Sequence, residues 1–142
     1  MSASTKGLPL GTDLISQFLP ASPYVGHLGI QLTAIQLGVA QLSLPFTDAL
    51  VTTGTIVHGG AIASLIDTAA AVAAWSNAEV PANIRGVTVN LTVIYLAVAS
   101  KEDLQAVARV LHRGRNLVYL DVEVRSASGS AIAKGLVTYK LG

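Results

Sequence analysis

The chain has 142 residues, of which 51% are hydrophobic and only 12% charged, so it is long enough for one domain with a substantial core. It contains no cysteine, which excludes disulfides, zinc–thiolate sites and a cysteine nucleophile. The formal net charge of +1 gives no indication of nucleic-acid binding.

The hydropathy pattern bears on the compartment. No stretch reaches the roughly 20 uninterrupted apolar residues of a membrane helix, and residues 1–20 lack the apolar centre of a secretory signal. We therefore expect a cytoplasmic protein with no membrane partner. We also expect one domain over residues 1–142, in which residues 1–20 form an extension with a short helix.

The first half of the chain predicts a short helix followed by two strands. Thr12 is a candidate N-cap, residues 13–19 form the turns of an amphipathic helix, and Pro20 is expected to end it. Apolar strands are predicted near residues 26–38 and 39–44.

A long alanine-rich helix is predicted over residues 59–78, ended by Pro81. Its broad apolar stripe comprises Ile62, Leu65, Ile66, Ala69, Val72 and Ala73. A second face is small and polar and comprises Ala63, Ser64, Asp67, Thr68 and Ala71. The many alanines allow neighbouring backbone to approach closely, so we expect other elements to surround this helix.

The second half predicts four strands in a meander. Residues 87–95 alternate with a period of two, residues 104–111 form the next strand, and residues 112–116 turn the chain. Residues 118–125 and 132–141 form the last two strands, separated by a glycine-containing loop. The fold class is therefore α+β, with an antiparallel sheet curled around one central helix.

The stretch from His58 to Asp67 is the strongest functional signal. Two glycines follow the histidine and open the helix, and one carboxylate lies nine residues after the histidine in an apolar run. Burying a lone carboxylate is costly unless it is compensated, so this one is either held by a structural partner or used in chemistry. Glycines at a helix start supply free N–H groups for an oxyanion, and a partly desolvated Asp67 would be a good base for water.

Three segments carry a resemblance to a known family. They read GTIVHGGAIASLIDTAAAVAA at residues 54–74, GVTVNLTVIYL at 86–96, and HRGRNLVYLDVEVRSASGSAIAKG at 112–135. In this order they resemble the hotdog-fold thioesterases, particularly the phenylacetate-degradation type of acyl-CoA thioesterase, over residues 25–141. The resemblance implies a curved sheet around a central helix, a homodimer or dimer-of-dimers tetramer, and hydrolysis of an acyl-coenzyme A thioester.

The resemblance also implies roles for particular residues. Asp67 matches the catalytic carboxylate, acting as general base or nucleophile, and Gly59 matches the glycine whose N–H polarises the thioester carbonyl. Thr88 matches a hydroxyl position that orients the water in some members. The chain departs from the pattern at Thr52, where several members have Asn or Gln, which puts the catalytic rate in doubt. A second departure, Ala97 in place of a frequent proline, concerns only the end of a strand.

The helix itself restricts how these groups meet. Gly59 and Asp67 are eight residues apart, or roughly 12 Å along one helix, whereas one reacting carbon needs both within about 3–4 Å. The hypothesis therefore requires a dimer, with Gly59 of one subunit facing Asp67 of the other. Arg113, Arg115 and Asn116 are candidates for the phosphates of coenzyme A, because arginine makes forked phosphate contacts.

Several alternatives remain open. Asp67 and Thr88 can both be structural, and His58 is expected to orient the loop or cap the helix rather than react. A Ser64–His58–Asp67 triad is disfavoured, because Ser64 lies mid-helix without a nucleophile elbow and is expected to bond a carbonyl of its own helix. We expect no metal and no cofactor beyond coenzyme A in the substrate. The competing functions are a hotdog dehydratase or hydratase and a non-catalytic acyl-CoA binding protein.

Overall fold

The computed structural model describes residues 11–76 and 85–142. Its helices are α1 (Gly11–Ala21), α2 (Pro23–Leu28) and α3 (Gly59–Trp75), with a 3-10 turn at Asp48–Leu50. Its strands are β1 (Gln31–Gln36), β2 (Val39–Leu44), β3 (Val51–Thr53), β4 (Ile56–Val57), β5 (Gly86–Tyr95), β6 (Leu104–Arg113), β7 (Leu117–Ser126) and β8 (Ala131–Leu141). Among the helices described, none combines the length and the hydropathy needed to cross a membrane.

Six strands form one antiparallel sheet in the order β1-β2-β6-β7-β8-β5, and β3 pairs with β4 separately. Helix α3 packs on one face of the large sheet and contacts β2, β5, β6, β7 and β8. The predicted antiparallel sheet around a central helix is therefore confirmed.

The predicted four-strand meander is wrong at its first strand. Strands β6, β7 and β8 follow one another, but β5 pairs with β8 and lies at the sheet edge. Residues 96–103 can span the distance of about 14 Å from β5 to β6, since three inter-strand spacings of about 4.8 Å separate them. The outer edge of β5 has no neighbour among the described strands.

The predicted helix near the N-terminus is confirmed, but its predicted first and last residues are wrong, and so are the predicted bounds of the strand that follows it. Helix α1 begins at Gly11 and includes Pro20 in its last turn. The first three residues of the predicted strand over residues 26–38 belong to helix α2. Pro23 starts this helix at a position where its fixed φ suits a helix, and Gly29 ends it at φ 80°. Only Gln31–Gln36 is strand.

The two predicted faces of the central helix are both confirmed. Every residue of the apolar stripe is buried, and every residue of the small polar face is partly exposed. The helix ends at Trp75, where the Ser76 N–H bonds the carbonyls of Val72 and Ala73. The predicted continuation of the helix is therefore wrong at Ser76, while residues 77, 78 and the expected stop at Pro81 lie outside the described residues.

Close packing of α3 on the sheet depends on a glycine in β8. A Cβ at Gly135 would lie 2.5 Å from Cγ2 of Ile66, a separation that real Cβ atoms essentially never show. The absence of a side chain at this position therefore lets Ile66, which is fully buried, rest directly on the backbone of the strand.

Strand β5 does not alternate regularly, and this matters for the site. A bulge between Thr88 and Asn90 inserts an extra residue opposite β8. As a result Thr88 shares the helix-facing side of β5 with Leu91 and Val93, instead of the opposite face that simple alternation predicts. Strand β6 also runs two residues further than predicted and includes His112 and Arg113.

Candidate active site

The N-terminus of α3 is capped by the side chain of His58. Its Nδ1 accepts a hydrogen bond of 2.7 Å from the N–H of Gly60, so this nitrogen carries no proton. The expected capping role of His58 is confirmed by this contact. No hydrogen bond joins the N–H of Gly59 to another residue in the described ranges, which leaves one donor of the first helical turn available.

Tyr95 lies over the same turn of the helix. Its hydroxyl donates a hydrogen bond of 2.7 Å to the carbonyl oxygen of Gly59, and a Cβ added at Gly59 would lie 3.4 Å from its ring. The peptide between Gly59 and Gly60 is therefore held at its oxygen by Tyr95 and at its N–H by His58. Tyr95 is the last residue of β5, so its hydrogen bond connects the first turn of α3 to this edge strand.

Asp67 lies two turns further along α3 and contacts the other end of β5. The hydroxyl of Thr88 donates a hydrogen bond of 2.6 Å to Oδ1 of Asp67. The second carboxylate oxygen, Oδ2, accepts no hydrogen bond from any residue within 11–76 or 85–142. Asp67 therefore has one oxygen fixed by a strand and one available to a water molecule.

Asp67 and Thr88 lie in the wall of an open cavity of about 520 Å³, which we call the Asp67 groove. The rest of its lining is mostly apolar and includes Phe18 and Leu19 of α1, Val25 of α2, and Ala71 and Val72 of α3. The groove reaches Tyr139, whose hydroxyl accepts a hydrogen bond of 3.0 Å from Trp75.

The phenol of Tyr139 is held in its neutral form. Burial raises the pKa of Tyr139, the nearby Asp67 carboxylate raises it further, and the hydrogen bond from Trp75 acts in the opposite direction. Tyr139 therefore lines the groove as a neutral hydroxyl.

Thr52 does not lie with Asp67 in this chain. It is an exposed residue of β3, and the β3–β4 hairpin leads directly into His58 at the start of α3. The structure thus places Thr52 on the segment that precedes the Gly59 end of the helix, and it is not part of the lining of the Asp67 groove.

The three candidates for coenzyme A lie near the opposite end of α3. Arg113 donates a hydrogen bond of 3.0 Å to the carbonyl of Ala74, and its partial burial lowers the pKa of its guanidinium. It therefore satisfies a carbonyl at the helix C-terminus. Arg115 and Asn116 are exposed in the turn between β6 and β7.

Ser64 bonds within its own helix, as predicted. Its hydroxyl donates to the carbonyl of Gly60 over 2.9 Å, so the hydroxyl of Tyr24, 3.0 Å away, donates to Ser64. Since the Ser64 proton goes to a carbonyl and Nδ1 of His58 accepts from Gly60, these residues do not form the hydrogen bonds of a catalytic triad.

Comparison with known proteins decides the family. A family model described as the thioesterase superfamily matches residues 54–133, which is more than half of the chain. The chain belongs to the thioesterase superfamily. A Halobacterium salinarum protein provisionally named as an esterase is 30% identical over 124 residues, or 85% of this chain and 82% of its own length. Membership of this superfamily supports thioester hydrolysis in general.

Solved structures agree on the fold of this thioesterase-superfamily chain. A conserved protein from Pseudomonas aeruginosa is 31% identical, with a TM-score of 0.77 over 84% of this chain and 93% of that one. The PaaI protein from the phenylacetic acid degradation operon of E. coli has a TM-score of 0.80 over 93% and 94%. At 20% identity the PaaI likeness shows the fold alone, and it confirms the predicted hotdog architecture.

Sequence reasoning missed two parts of this thioesterase-superfamily site. The sequence predicts Tyr95 only as a strand residue, and its contact with Gly59 depends on the pairing of β5 with β8, which no local pattern reveals. The contribution of α1 to the Asp67 groove was also missed. Its apolar face, with Ile15 and Leu19 buried, was visible as a helical pattern, but the surface on which it docks was not.

Proposed function

We propose that the protein hydrolyses the thioester bond of an acyl-coenzyme A, with Asp67 as general base or nucleophile. The observation that carries the proposal is the pair formed by Asp67 and Thr88 in the wall of an apolar groove. A hydrogen bond fixes one carboxylate oxygen and leaves the other free to act on water or on the thioester. The N–H of Gly59 would stabilise the oxyanion, helped by the positive end of the helix dipole.

These two groups cannot act on one carbonyl within a single chain. Both lie on α3, eight residues apart, which is roughly 12 Å of helix rise. We therefore place each site between two subunits, with Asp67 of one chain and Gly59 of the partner subunit.

Strand β5 supplies a geometry for this arrangement. It is an edge strand whose Thr88 contacts Asp67 near one end and whose Tyr95 contacts Gly59 at the other. If β5 pairs antiparallel with its copy about Leu91, and Val89 is the extra residue of the bulge, Thr88 comes opposite Val93 of the partner subunit, two residues before the partner's Tyr95 beside the partner's Gly59. Each Asp67 is then brought to a glycine N–H of the other chain, and the dimer has two equivalent sites.

The surface of β5 favours such a partner. Val87, Val89 and Ile94 are each more than half exposed, which is unusual for apolar residues on a ten-residue edge strand. Unpaired edges of this kind readily add another strand. A homodimer, or a dimer of such dimers, would cover them.

The reaction then proceeds without a cofactor. Water attacks the carbonyl carbon while Asp67 takes its proton, and the carbonyl electrons move to the oxygen facing the partner's Gly59 N–H. Collapse of this intermediate breaks the C–S bond, and coenzyme A leaves as a thiolate that takes up the proton. With Asp67 as nucleophile, an acyl-aspartate forms first and water then hydrolyses it.

The competing dehydratase requires a histidine at the reacting carbon, and His58 is poorly suited to this role. Its Nδ1 is already occupied by the N–H of Gly60, and the ring caps the helix. For the nucleotide part of coenzyme A we retain Arg115 and Asn116, whose side chains are exposed, together with Arg113, of which one guanidinium nitrogen bonds Ala74.

Mixed dimers test the site directly. Asp67→Asn removes the base, and Gly59→Pro removes the N–H at the first helical position, where proline is well tolerated. The preceding residue, His58, has φ −61° and ψ 134°, which a following proline permits. We expect each pure variant to lose thiol release from acyl-CoA. A mixed dimer, isolated with two affinity tags, should regain about half of the native rate because one of its two sites is intact.

The controls separate the possible failures. Asp48→Asn, an exposed aspartate outside the groove, should retain native activity. Full activity of the Gly59→Pro variant would remove Gly59 from the mechanism, and a folded mixed dimer without recovered activity would contradict the shared site. A native chain that binds coenzyme A thioesters but releases no thiol from any of them would support the non-catalytic binding protein instead.

A further inference from the structure

We infer that the Asp67 groove is the acyl subsite and that it selects uncharged, apolar acyl groups of medium length or with an aryl ring. This inference rests on the proposed function, because it takes the thioester to react at Asp67. The Asp67–Thr88 pair lies in the wall of the groove, so an acyl group attached to a carbonyl held there continues into this space.

The length of the groove sets the size of the group. Along α3 the lining runs from Asp67 to Val72, five residues or roughly 7.5 Å, about the length of a six-carbon chain or an aryl ring. Its volume of about 520 Å³ lies within the usual range of small-molecule sites. Tyr139, the cross-strand neighbour of Thr88, also lines the groove, and its oxygen is bonded to Trp75.

The charge of the residues that line the groove determines which chemical class of acyl group can bind there. Among the described residues that line the groove there is no lysine, arginine or histidine, and Asp67 supplies a negative charge. A dicarboxylic acyl group would bring a second carboxylate into an apolar space beside Asp67 with no cation to compensate it. Neutral acyl groups carry no such penalty.

Two side chains control the available space. Ala71 lies one helical turn beyond Asp67 on the same face of α3, and its small size keeps the groove open. Phe18 of α1 also lines the groove and is 52% exposed, so an apolar ligand in the groove would cover an aromatic side chain that is otherwise in water. These two residues are therefore the expected determinants of specificity.

The experiment measures kcat/KM for thiol release from acetyl-, hexanoyl-, benzoyl- and succinyl-CoA. We expect hexanoyl- and benzoyl-CoA to exceed acetyl- and succinyl-CoA by at least about a hundredfold, since each apolar methylene in a fitted pocket contributes about tenfold or more. Ala71→Leu should lower kcat/KM for hexanoyl-CoA at least about tenfold more than it lowers kcat/KM for acetyl-CoA. Phe18→Ala should weaken the preference for hexanoyl-CoA, and Gln17→Ala, the adjacent exposed residue of α1, should leave it unchanged.

The outcomes distinguish this inference from the proposed function. Hydrolysis with the same kcat/KM for all four substrates, or equal effects of Ala71→Leu on acetyl and hexanoyl, overturns the acyl subsite and leaves the thioesterase intact. If no substrate is hydrolysed, the proposed function fails, and calorimetry on the Asp67→Asn protein decides the subsite: hexanoyl-CoA must bind at least about tenfold more tightly than free coenzyme A. If Phe18→Ala changes the oligomeric state but leaves the substrate selectivity unchanged, the groove is a contact surface for a second copy of the chain and not the acyl subsite.

Discussion

The hydroxyl of Thr88 donates a 2.6 Å hydrogen bond to Oδ1 of Asp67, linking edge strand β5 to the middle of helix α3. This bond orients the carboxylate and satisfies one of its oxygens within an apolar groove. We predict that Thr88→Val lowers kcat by roughly ten- to a hundredfold, because a hydrogen bond to a charged group contributes about 1.5–3 kcal/mol. Thiol release at saturating substrate measures the effect.

Two variants serve as controls for this prediction. Thr88→Ser keeps the hydroxyl and should retain most of the activity. Thr92→Val makes the same chemical change on the opposite face of β5, away from Asp67, and should behave like the native protein. If Thr88→Val and Thr92→Val have the same kcat, the hydroxyl has no role in positioning Asp67.

Tyr95 is predicted to position Gly59 without touching the substrate. Tyr95→Phe removes only the hydroxyl that bonds the Gly59 carbonyl and keeps the ring that packs on the glycine. We expect kcat to fall by roughly five- to tenfold with KM little changed, since the lost bond acts on the orientation of the oxyanion donor. Tyr119→Phe, on the outer sheet face, is the matched control. A rise in KM with unchanged kcat would instead indicate a binding role.

The central helix was predictable because its period and composition agree with its packing. Both faces of α3 came from the spacing of apolar residues, and the structure buries one and leaves the other partly exposed. Asp67 and Thr88 are each predicted as site residues by the family resemblance, with no predicted contact between them, and the structure brings the two side chains together. Their contact nevertheless requires the bulge in β5, which a simple alternation does not reveal.

The remaining errors have identifiable physical causes. The helix at Pro23–Leu28 had local signals, a proline at its first turn and Gly29 after its end, which the apolar run outweighed. The pairing of β5 with β8 had no local signal, because it depends on contacts far apart in the chain. The docking of α1 beside Asp67 is of the same kind: its pattern predicts an apolar face but not the surface that covers it.

The His58 cap predicts a measurable effect on stability. His58→Ala removes the acceptor for the N–H of Gly60 and should lower the free energy of unfolding by about 0.5–2 kcal/mol. His58→Asn supplies another capping oxygen and should recover most of the loss. Urea unfolding measures both, with His27→Ala as an exposed control. Equal stability of the alanine and asparagine variants would show that the cap contributes nothing measurable.

The contact between Gly135 and Ile66 predicts strong coupling between α3 and β8. Gly135→Ala should destabilise the protein by about 1–3 kcal/mol, because its Cβ would overlap Cγ2 of Ile66. Ile66→Ala alone should cost about 2–5 kcal/mol through the cavity that it leaves. In the double variant the new methyl group enters that cavity, so its destabilisation should be clearly smaller than the sum of the two. Denaturant unfolding of the four proteins gives the coupling energy, and additive effects would show that the glycine is not required for the helix to approach the sheet.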